Sequence, residues 1–304
     1  MRHRGTAVAI ALLCAAFAAA GCGLGPGSGV GEVSLTVTRD YGAEPVLAPA
    51  SEAASESDTV MRVLEREADI STRYGGGFVQ SIDGLEAEER FGHPFDWFFY
   101  VNGVESTVGA ADYPLHGGEA IWWDYRDWSA AQGVSAVVGS WPQPFLGGYD
   151  GERRPVAVEC LGAAGACDAV RDALAAAGAR VADGSPEEAI RLLVGPWARV
   201  REDATAAQIE DGPEASGVFA EFIRGDSGFQ LTGIAADGEP AQVFGPGAGL
   251  VAATRRYDAP PTWVVTGVRG AGVSAAAGLL DAADLRDHYA VATEGGKETP
   301  LPIR

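Results

Sequence analysis

The run Gly-Asp-Ser-Gly at residues 225–228 is the stretch of this chain whose residue types are most typical of catalysis, because it is a frequent setting for a nucleophilic serine. Such a serine needs a histidine as its base. The histidines that precede Ser227 outside the amino-terminal segment are His93 and His116, and both belong to a part of the chain that we expect to fold separately. Glycine, aspartate and serine are also favoured in tight turns. The sequence therefore predicts a turn between two strands here, and it predicts that the protein is not an enzyme.

Two further runs have the composition of ion-binding loops. Residues 245–249 are rich in glycine, but they lead into a predicted strand, whereas a phosphate-binding loop opens a helix. The acidic residues 86–89 do not have the spacing of calcium ligands. His116 stands alone beside two glycines in a predicted loop. We therefore expect no metal site in this chain.

The amino terminus has the pattern of an export signal. Arg2 and Arg4 precede an uncharged, apolar run over residues 5–21, which is shorter than the ~20 residues of a membrane-spanning helix. Cys22 follows small residues, as in the lipobox of bacterial lipoproteins, although Ala19 stands where leucine is usual. The pattern predicts a signal peptide over residues 1–21, a lipid on Cys22 as the sole covalent group, and a location on the outer face of the cell membrane. Ordinary signal-peptidase cleavage is the alternative.

The mature chain is strongly acidic. Residues 22–31 are rich in glycine and are expected to form a flexible tether behind the lipid anchor. Without the signal peptide the chain has 20 basic and 42 acidic residues, a net charge near −22. This charge repels phosphate backbones and anionic lipid headgroups. The composition argues against nucleic acid as a partner and limits the expected membrane contact to the lipid anchor.

Cys160 and Cys167 are predicted to form a disulfide. They are the cysteines that remain once the signal peptide and Cys22 are set aside, and they flank a loop rich in glycine and alanine. In an oxidising compartment such a pair most simply forms a disulfide. A zinc site would need further ligands, and no histidine lies near either cysteine in the sequence.

Aromatic residues concentrate in one segment, which holds 11 of the chain's 26 between Phe91 and Trp128. The chain's single asparagine, Asn102, precedes Gly103 at the end of an apolar run, and this pair predicts a tight hairpin turn with positive φ at both positions. Side chains alternate between the two faces of a strand. In one strand, Trp97, Phe99 and Val101 are expected on one face and Phe98, Tyr100 and Asn102 on the other. In the other strand, Ile121, Trp123 and Tyr125 are expected on one face and Trp122, Asp124 and Arg126 on the other.

The order of predicted elements indicates two domains. The first spans residues 32–128 and contains one strand, one helix that starts near Asp58, and then a strand and hairpins, which describes an α+β mixed sheet over a single helix. Residues 129–154 are interrupted by glycine and proline and are expected to be a linker. Residues 155–294 alternate between strands and helices as in an α/β-type domain, and residues 295–304 are expected to be a flexible tail.

The first domain resembles a known family. The order of Asp40-Tyr41-Gly42, the helix near Asp58, residues 77–84, residues 97–103 and residues 113–122 is similar to the carboxy-terminal domain of transcobalamin and intrinsic factor. This is the small β-grasp-like, DUF4430-type module that also occurs in bacterial surface lipoproteins. The resemblance covers roughly residues 32–128.

The resemblance implies a function in ligand binding. In the animal carriers this module closes over one face of cobalamin, and a larger α/α-barrel domain, absent from this chain, holds most of the rest. The module is therefore expected to bind a corrinoid or a similar bulky ligand together with a separate barrel protein and a membrane importer. The predicted ligand-binding residues are Phe78, Tyr100, Tyr113, Trp122 and Asp124.

Three alternatives stay open at this point. A helix covers one face of a sheet, so the aromatic residues on the other face meet either a ligand, a partner or the second domain. The β-grasp face is equally compatible with a surface adhesion module that binds protein or glycan. An envelope enzyme with its site in the second domain, around Asp226, Ser227 and His288, is the third possibility.

Overall fold

A computed structural model describes residues 28–226 and 228–304. The predicted signal peptide, the predicted lipid site at Cys22 and Ser227 lie outside the described residues. Within the described part of the chain, no helix has the length and apolar character needed to cross a membrane.

The first half, up to Asp127, is built mainly from strands. Its strands are β1 (Gly29–Arg39), β2 (Glu44–Pro45), β3 (Ala50–Ser55), β4 (Ile70–Arg73), β5 (Phe78–Ile82), β6 (Leu85–Glu86), β7 (Glu88–Arg90), β8 (His93–Val101), β9 (Val104–Glu105) and β10 (Ala120–Asp127). Its helices are α1 (Val60–Glu67) and a 3₁₀ turn at Tyr74–Gly76.

The second half contains nine further strands and five short helices among the described residues. The strands are β11 (Val156–Cys160), β12 (Ile190–Pro196), β13 (Ala220–Gly225), β14 (Gly228–Ile234), β15 (Pro240–Val243), β16 (Gly249–Thr254), β17 (Thr262–Gly267), β18 (Ala290–Glu294) and β19 (Lys297–Leu301). The helices are α2 (Ala164–Ala176), α3 (Trp197–Val200), α4 (Pro213–Ser216), α5 (Gly270–Ala277) and α6 (Ala282–Leu285), with a 3₁₀ helix at Ala206–Asp211.

Four sheets organise these strands. The seven-stranded sheet of the first half has the order β2-β1-β10-β8-β7, with β3 beside β1 and β9 beside β8, and β4-β5-β6 form a small sheet of their own. Strands β1 and β10 are parallel, and β8 and β10 are antiparallel. The second half has a six-stranded sheet of order β11-β12-β17-β16-β18-β19 and a three-stranded sheet β13-β14-β15.

The predicted fold class is wrong, because the chain is mostly β. Strands make up 40% of the described residues and helices 18%, so neither the α+β sheet over one helix nor the α/β-type second domain describes them. Two segments of the predicted α/β-type domain illustrate the difference. Proline and glutamates at residues 185–188 suggest a helix start, but β12 begins at Ile190, which leaves too few residues to nucleate a helix. Residues 197–210 form only α3 and a 3₁₀ turn.

The carboxy-terminal residues are ordered rather than a flexible tail. Strand β19 pairs with β18 along its whole length, and Leu301 is buried. The Ile303 N–H donates a hydrogen bond to the Ile234 carbonyl at 2.9 Å. Pairing with an existing strand edge fixes these residues, and that pairing is not visible in their composition.

The predicted linker is part of the core. Within residues 129–154, the side chains of Val134, Val137 and Val138 are fully buried. A single hydrophobic cluster contains Tyr100 and Trp122 of the first half, Val134 and Val137 of this segment, and many residues of the second half. The two halves therefore share a core, and we expect them to unfold together.

The hairpin turn predicted at Asn102–Gly103 is confirmed. Both residues have positive φ, 54° and 76°, and they join β8 to β9. The Asn102 side chain accepts a hydrogen bond from the Ala120 N–H and donates one to the Gly148 carbonyl, both at 2.9 Å. Asparagine thus fits the turn and also ties it to β10 and to the segment between the halves.

The predicted Cys160–Cys167 disulfide is present and joins the end of β11 to α2. Cys167 is buried in the hydrophobic cluster that also contains Val170 and Leu174 of α2. Because the crosslink restricts the unfolded chain, we expect the double variant Cys160→Ala/Cys167→Ala to lose about 2–3 kcal/mol of unfolding free energy. Urea titration measures this loss. Finding two free thiols in freshly isolated protein by non-reducing peptide mapping would contradict the crosslink itself.

Candidate functional site

The two central strands of the first half direct their side chains to different cores. On one face, Trp97 and Val101 of β8 and Trp123 and Tyr125 of β10 pack with α1 in one cluster. On the other face, Tyr100 and Trp122 belong to the cluster shared with the second half. The predicted alternation of the two strands is therefore confirmed.

The structure places three of the predicted ligand-binding residues on the face that the second half covers. Tyr100, Trp122 and Asp124 are each at most 2% exposed. Tyr289 of the second half lies against the first two, with ring centroids 5.8 Å from Tyr100 and 5.4 Å from Trp122. Burial of these aromatic residues against the second half is one of the alternatives that the sequence left open. Part of the Trp122 side chain lines a cleft of about 270 Å³ between the halves.

Asp124 is the centre of a buried hydrogen-bond network at this interface. Its carboxylate accepts hydrogen bonds from the Thr38 hydroxyl at 2.6 Å and from the Tyr289 hydroxyl at 3.0 Å. The backbone N–H groups of Tyr41 and Gly42 donate to it as well, both at 3.0 Å. Because these donors come from β1, from the turn after it and from Tyr289, the residue just before β18, the network fixes the two halves relative to each other.

Burial raises the pKa of the Asp124 carboxyl to about 6, although the hydrogen bonds from Thr38, Gly42 and Tyr289 oppose this shift.

The turn that supplies two of the donors to Asp124 packs tightly against the second half. A Cβ atom added at Gly42 would lie 1.7 Å from the Asp287 carbonyl oxygen, so only glycine fits there. We conclude that Asp124 has a structural role in docking the halves.

The other two predicted ligand-binding residues lie elsewhere. Tyr113 is buried near the start of α1, and its hydroxyl donates a hydrogen bond to Glu119 at 3.2 Å. Phe78, at the start of β5, is half-buried and lines a separate cavity in the first half. The structure therefore does not bring the five predicted residues together into one site.

The cavity that Phe78 lines, called the aromatic cavity below, has a volume of about 220 Å³. Its aromatic lining residues are Phe78, Trp97, Phe98, Phe99 and Trp123, and its single charged lining residue is Glu105. The rings of Phe99 and Trp123 lie 4.9 Å apart. A small apolar cavity with a few polar groups is the usual form of a site for an organic ligand.

An interrupted strand edge creates this cavity. Strand β7 pairs with β8 at His93–Phe95, and β9 pairs with β8 at Tyr100–Val101. Among the described residues, no strand pairs with the intervening residues 96–99 on that side of β8. The aromatic side chains of this open stretch, together with β5 and the loop after β9, form the cavity walls.

Two residues that line the aromatic cavity, Trp123 and Glu105, carry polar groups. The fully buried Trp123 indole N–H has no hydrogen-bond acceptor among the described residues. The half-buried Glu105 carboxylate accepts a backbone hydrogen bond from Val134 and interacts with the buried Arg126 guanidinium. Burial raises the pKa of Glu105 to about 7, while Arg126 opposes that shift.

The sequence predictions missed Glu105 and assigned Trp97, Phe99 and Trp123 only to a strand face. The available signal was the position of Glu105 directly after the Asn-Gly turn. In a hairpin, the residue two positions after Gly103 lies opposite Tyr100 on the neighbouring strand. The structure pairs Glu105 with Tyr100 in this way. Its burial depends on the segment at Gly133 and Val134, which folds back from beyond β10, so the sequence alone gave no reason to expect it.

One histidine contact has the composition of a catalytic triad without its geometry. His93 Nδ1 lies 2.9 Å from the Asp127 carboxylate and 3.2 Å from the Ser129 hydroxyl. In a triad the carboxylate and the nucleophile contact different ring nitrogens. Because both partners here share Nδ1, the contact does not activate Ser129.

The motifs considered at first also have structural roles. Strands β13 and β14 form an antiparallel hairpin that is paired up to Gly225 and Gly228, as predicted. The glycine-rich residues 245–249 lead into β16, also as predicted, and Gly249 lies against the start of α5. In the described residues, His, Cys, Asp and Glu form no cluster suited to a metal ion.

The comparisons with known proteins agree with part of the predicted module. A family model described as "Domain of unknown function (DUF4430)" matches residues 57–127, which confirms the DUF4430-type module. All eleven residues that line the aromatic cavity fall inside this range. No curated protein is significantly similar to the chain.

One of the solved structures that match is similar over a limited region. It comes from Ruminococcus gnavus ATCC 29149 and is described as that of "a putative metal binding protein"; the identity is 17%, and the match covers 32% of this chain and 97% of the other. The TM-score of 0.25 is too low to support any argument about function or fold.

Proposed function

We propose that this chain is a non-enzymatic, lipid-anchored binding protein on the outer face of the cell membrane, and that its aromatic cavity holds one ring or apolar group of a bulky organic ligand. The observation that carries this proposal is the aromatic cavity itself. Five aromatic residues line it, together with the half-buried Glu105 as its single charged residue.

The volume of the aromatic cavity limits what enters it. A complete drug-sized ligand occupies a pocket of roughly 300–1,000 Å³, which exceeds the 220 Å³ found here. Only one part of a large ligand therefore enters, and the remainder stays outside the first half. Such a partial site suits a protein that shares its ligand with a second protein.

A corrinoid is the ligand class that we propose, because of the resemblance to the cobalamin carriers in residues 32–128. The module alone would hold one group of the corrinoid, and a separate α/α-barrel protein would cover the rest before transfer to a membrane importer. Because Tyr100, Trp122 and Asp124 are buried, we propose that the ligand contacts the aromatic cavity and not the face that the second half covers.

Isothermal titration of the mature protein against cobalamin and cobinamide, alone and with a candidate barrel partner, tests the proposal. We expect Phe78→Ala to weaken binding by about 1–3 kcal/mol, because Phe78 is a half-buried wall of the aromatic cavity. Phe91→Ala is the matched control, since Phe91 is fully exposed and does not line the cavity. Absence of heat with both corrinoids, with and without the partner, would remove the corrinoid proposal.

A surface interaction module is the second candidate, and the exposure of Phe91 favours it. Phe91 lies at the tip of the β7–β8 hairpin, where its side chain is fully exposed to solvent. In this position the Phe91 side chain is free to contact another molecule. In this case Phe91→Ala, and not Phe78→Ala, would reduce adhesion of the intact cell to protein- or glycan-coated surfaces.

A further inference from the structure

The imidazole ring of His93 is held through only one of its two nitrogens. Its Nδ1 lies 2.9 Å from the buried Asp127 carboxylate. A carboxylate only accepts hydrogen bonds, so Nδ1 carries the hydrogen of the neutral ring and Nε2 carries the lone pair. In the described part of the chain, no group forms a hydrogen bond with Nε2. The His93 side chain is 43% exposed, so a ligand can approach the ring.

The Asp127 carboxylate that holds His93 is itself fixed in position. One of its oxygens accepts a hydrogen bond from the Ser129 N–H at 2.9 Å, and the other oxygen faces His93. The Ser129 hydroxyl lies 3.2 Å from the same Nδ1. A histidine that binds a metal usually donates its second ring N–H to a carboxylate in this way, which orients the ring and makes the free nitrogen more basic. The arrangement therefore suits Nε2 for binding a metal.

The surroundings of His93 do not offer the further ligands that a bare metal ion needs. A zinc site usually has three or four protein ligands. The His, Cys, Asp and Glu side chains of residues 28–226 and 228–304 form no group of three that could hold an ion. A single imidazole nitrogen suits a metal that brings its other ligands with it, as haem iron does when a protein supplies one axial histidine.

A groove beside His93, called the His93 groove below, has the size and lining for a flat macrocycle. Its volume is about 550 Å³, within the roughly 300–1,000 Å³ of ordinary cofactor sites. Its apolar lining residues are Phe91, Phe95, Ala235, Ala236 and Ile303. Besides His93 and Asp127, the oppositely charged Arg90 and Asp237 complete the lining. A porphyrin has flat apolar faces, whereas a corrin ring carries amide side chains on both faces, so this lining favours a porphyrin.

We infer that the His93 groove is a second ligand site, which binds an iron porphyrin such as haem with His93 Nε2 as the axial ligand to the iron. Asp127 is the positioning residue for His93. The only bond formed is the one from the Nε2 lone pair to iron, in place of a water molecule on the metal. The inference does not rest on the proposed function, because no residue lines both the His93 groove and the aromatic cavity.

Titration of the mature protein with haemin, followed by absorbance, tests the inference. We expect the spectrum of histidine-ligated haem, and we expect His93→Ala to lose that spectrum and to bind haemin about tenfold or more weakly. His116→Ala is the matched control, because His116 is also an exposed histidine beside a carboxylate, 3.5 Å from Glu119, but does not line the groove. Metal-free protoporphyrin IX should bind equally to the unaltered protein and to His93→Ala.

Two further measurements separate ligation from a structural role of His93. Imidazole added to the His93→Gly protein should restore the spectrum of histidine-ligated haem, since the free imidazole takes the place of the missing side chain. Asp127→Asn should bind haemin about tenfold more weakly and lower the iron–histidine stretching frequency of the ferrous complex, because the ligating nitrogen becomes less basic. Thermal melting of each variant confirms that it is folded.

Several outcomes would overturn the inference. They are absence of haemin binding, haemin binding with the same affinity and spectrum in His93→Ala, and binding of bare Zn²⁺ that His93→Ala removes. Cobinamide separates this site from the proposed function. We expect His93→Ala to leave cobinamide binding unchanged and Phe78→Ala to leave haemin binding unchanged. A loss of cobinamide binding instead of haemin binding in His93→Ala would contradict a porphyrin as the ligand of this groove.

Discussion

Replacing Trp122 with alanine is expected to lower the free energy of unfolding by about 3–5 kcal/mol, as large-to-small changes in a core do. Trp122 is only 2% exposed, and its ring lies 5.7 Å from that of Tyr100 and 5.4 Å from that of Tyr289. Its indole N–H donates a hydrogen bond to the Thr38 hydroxyl at 2.8 Å. The change removes packing and leaves this hydroxyl without its donor. Urea denaturation followed by circular dichroism measures the loss.

The control for this prediction is Tyr257→Ala, because Tyr257 is an aromatic residue that is 85% exposed. It should change the unfolding free energy by less than about 0.5 kcal/mol. Since Trp122 belongs to the core that both halves share, we also expect one cooperative transition for both. A Trp122→Ala protein as stable as the original, but impaired in ligand binding, would assign Trp122 to a ligand surface instead.

Removal of the Asp124 carboxylate is expected to have a comparable effect. The Asp124→Ala variant leaves the Thr38 hydroxyl, the Tyr289 hydroxyl and two backbone N–H groups without their acceptor. A buried donor without a partner costs about 1–3 kcal/mol, and such costs do not add fully, so we expect a total loss of about 3–5 kcal/mol. The same denaturation experiment measures it.

Asp124→Asn and Tyr289→Phe are the graded controls. Asparagine keeps one acceptor oxygen but directs an amide N–H₂ group toward a backbone N–H, so its cost should lie between zero and that of alanine. Tyr289→Phe removes one donor to Asp124 and should cost about 1 kcal/mol. A double-mutant cycle between these positions should show coupling, whereas strictly additive effects would contradict the network.

Several local features of this protein were determined by its sequence. The Asn102–Gly103 turn follows from the need for positive φ, and the alternation of β8 and β10 follows from strand geometry. The disulfide follows from an isolated pair of nearby cysteines, and the turn at residues 225–228 follows from turn-forming residues. Helix α1 also begins near Asp58, as predicted, with Thr59 as its N-cap.

The tertiary structure decided which of these residues are available to a ligand. Alternation assigns Trp122 and Tyr100 to one face, but it does not say that Tyr289, many positions later in the chain, covers them. In the same way, the aromatic cavity exists because β7 and β9 pair with different ends of β8, and Glu105 is buried because the segment at Val134 folds against it. Local preference acts between neighbours in sequence, whereas burial depends on pairings between distant segments. The sequence therefore determined turns, faces and the disulfide, and long-range packing alone decided where the open aromatic surface lies.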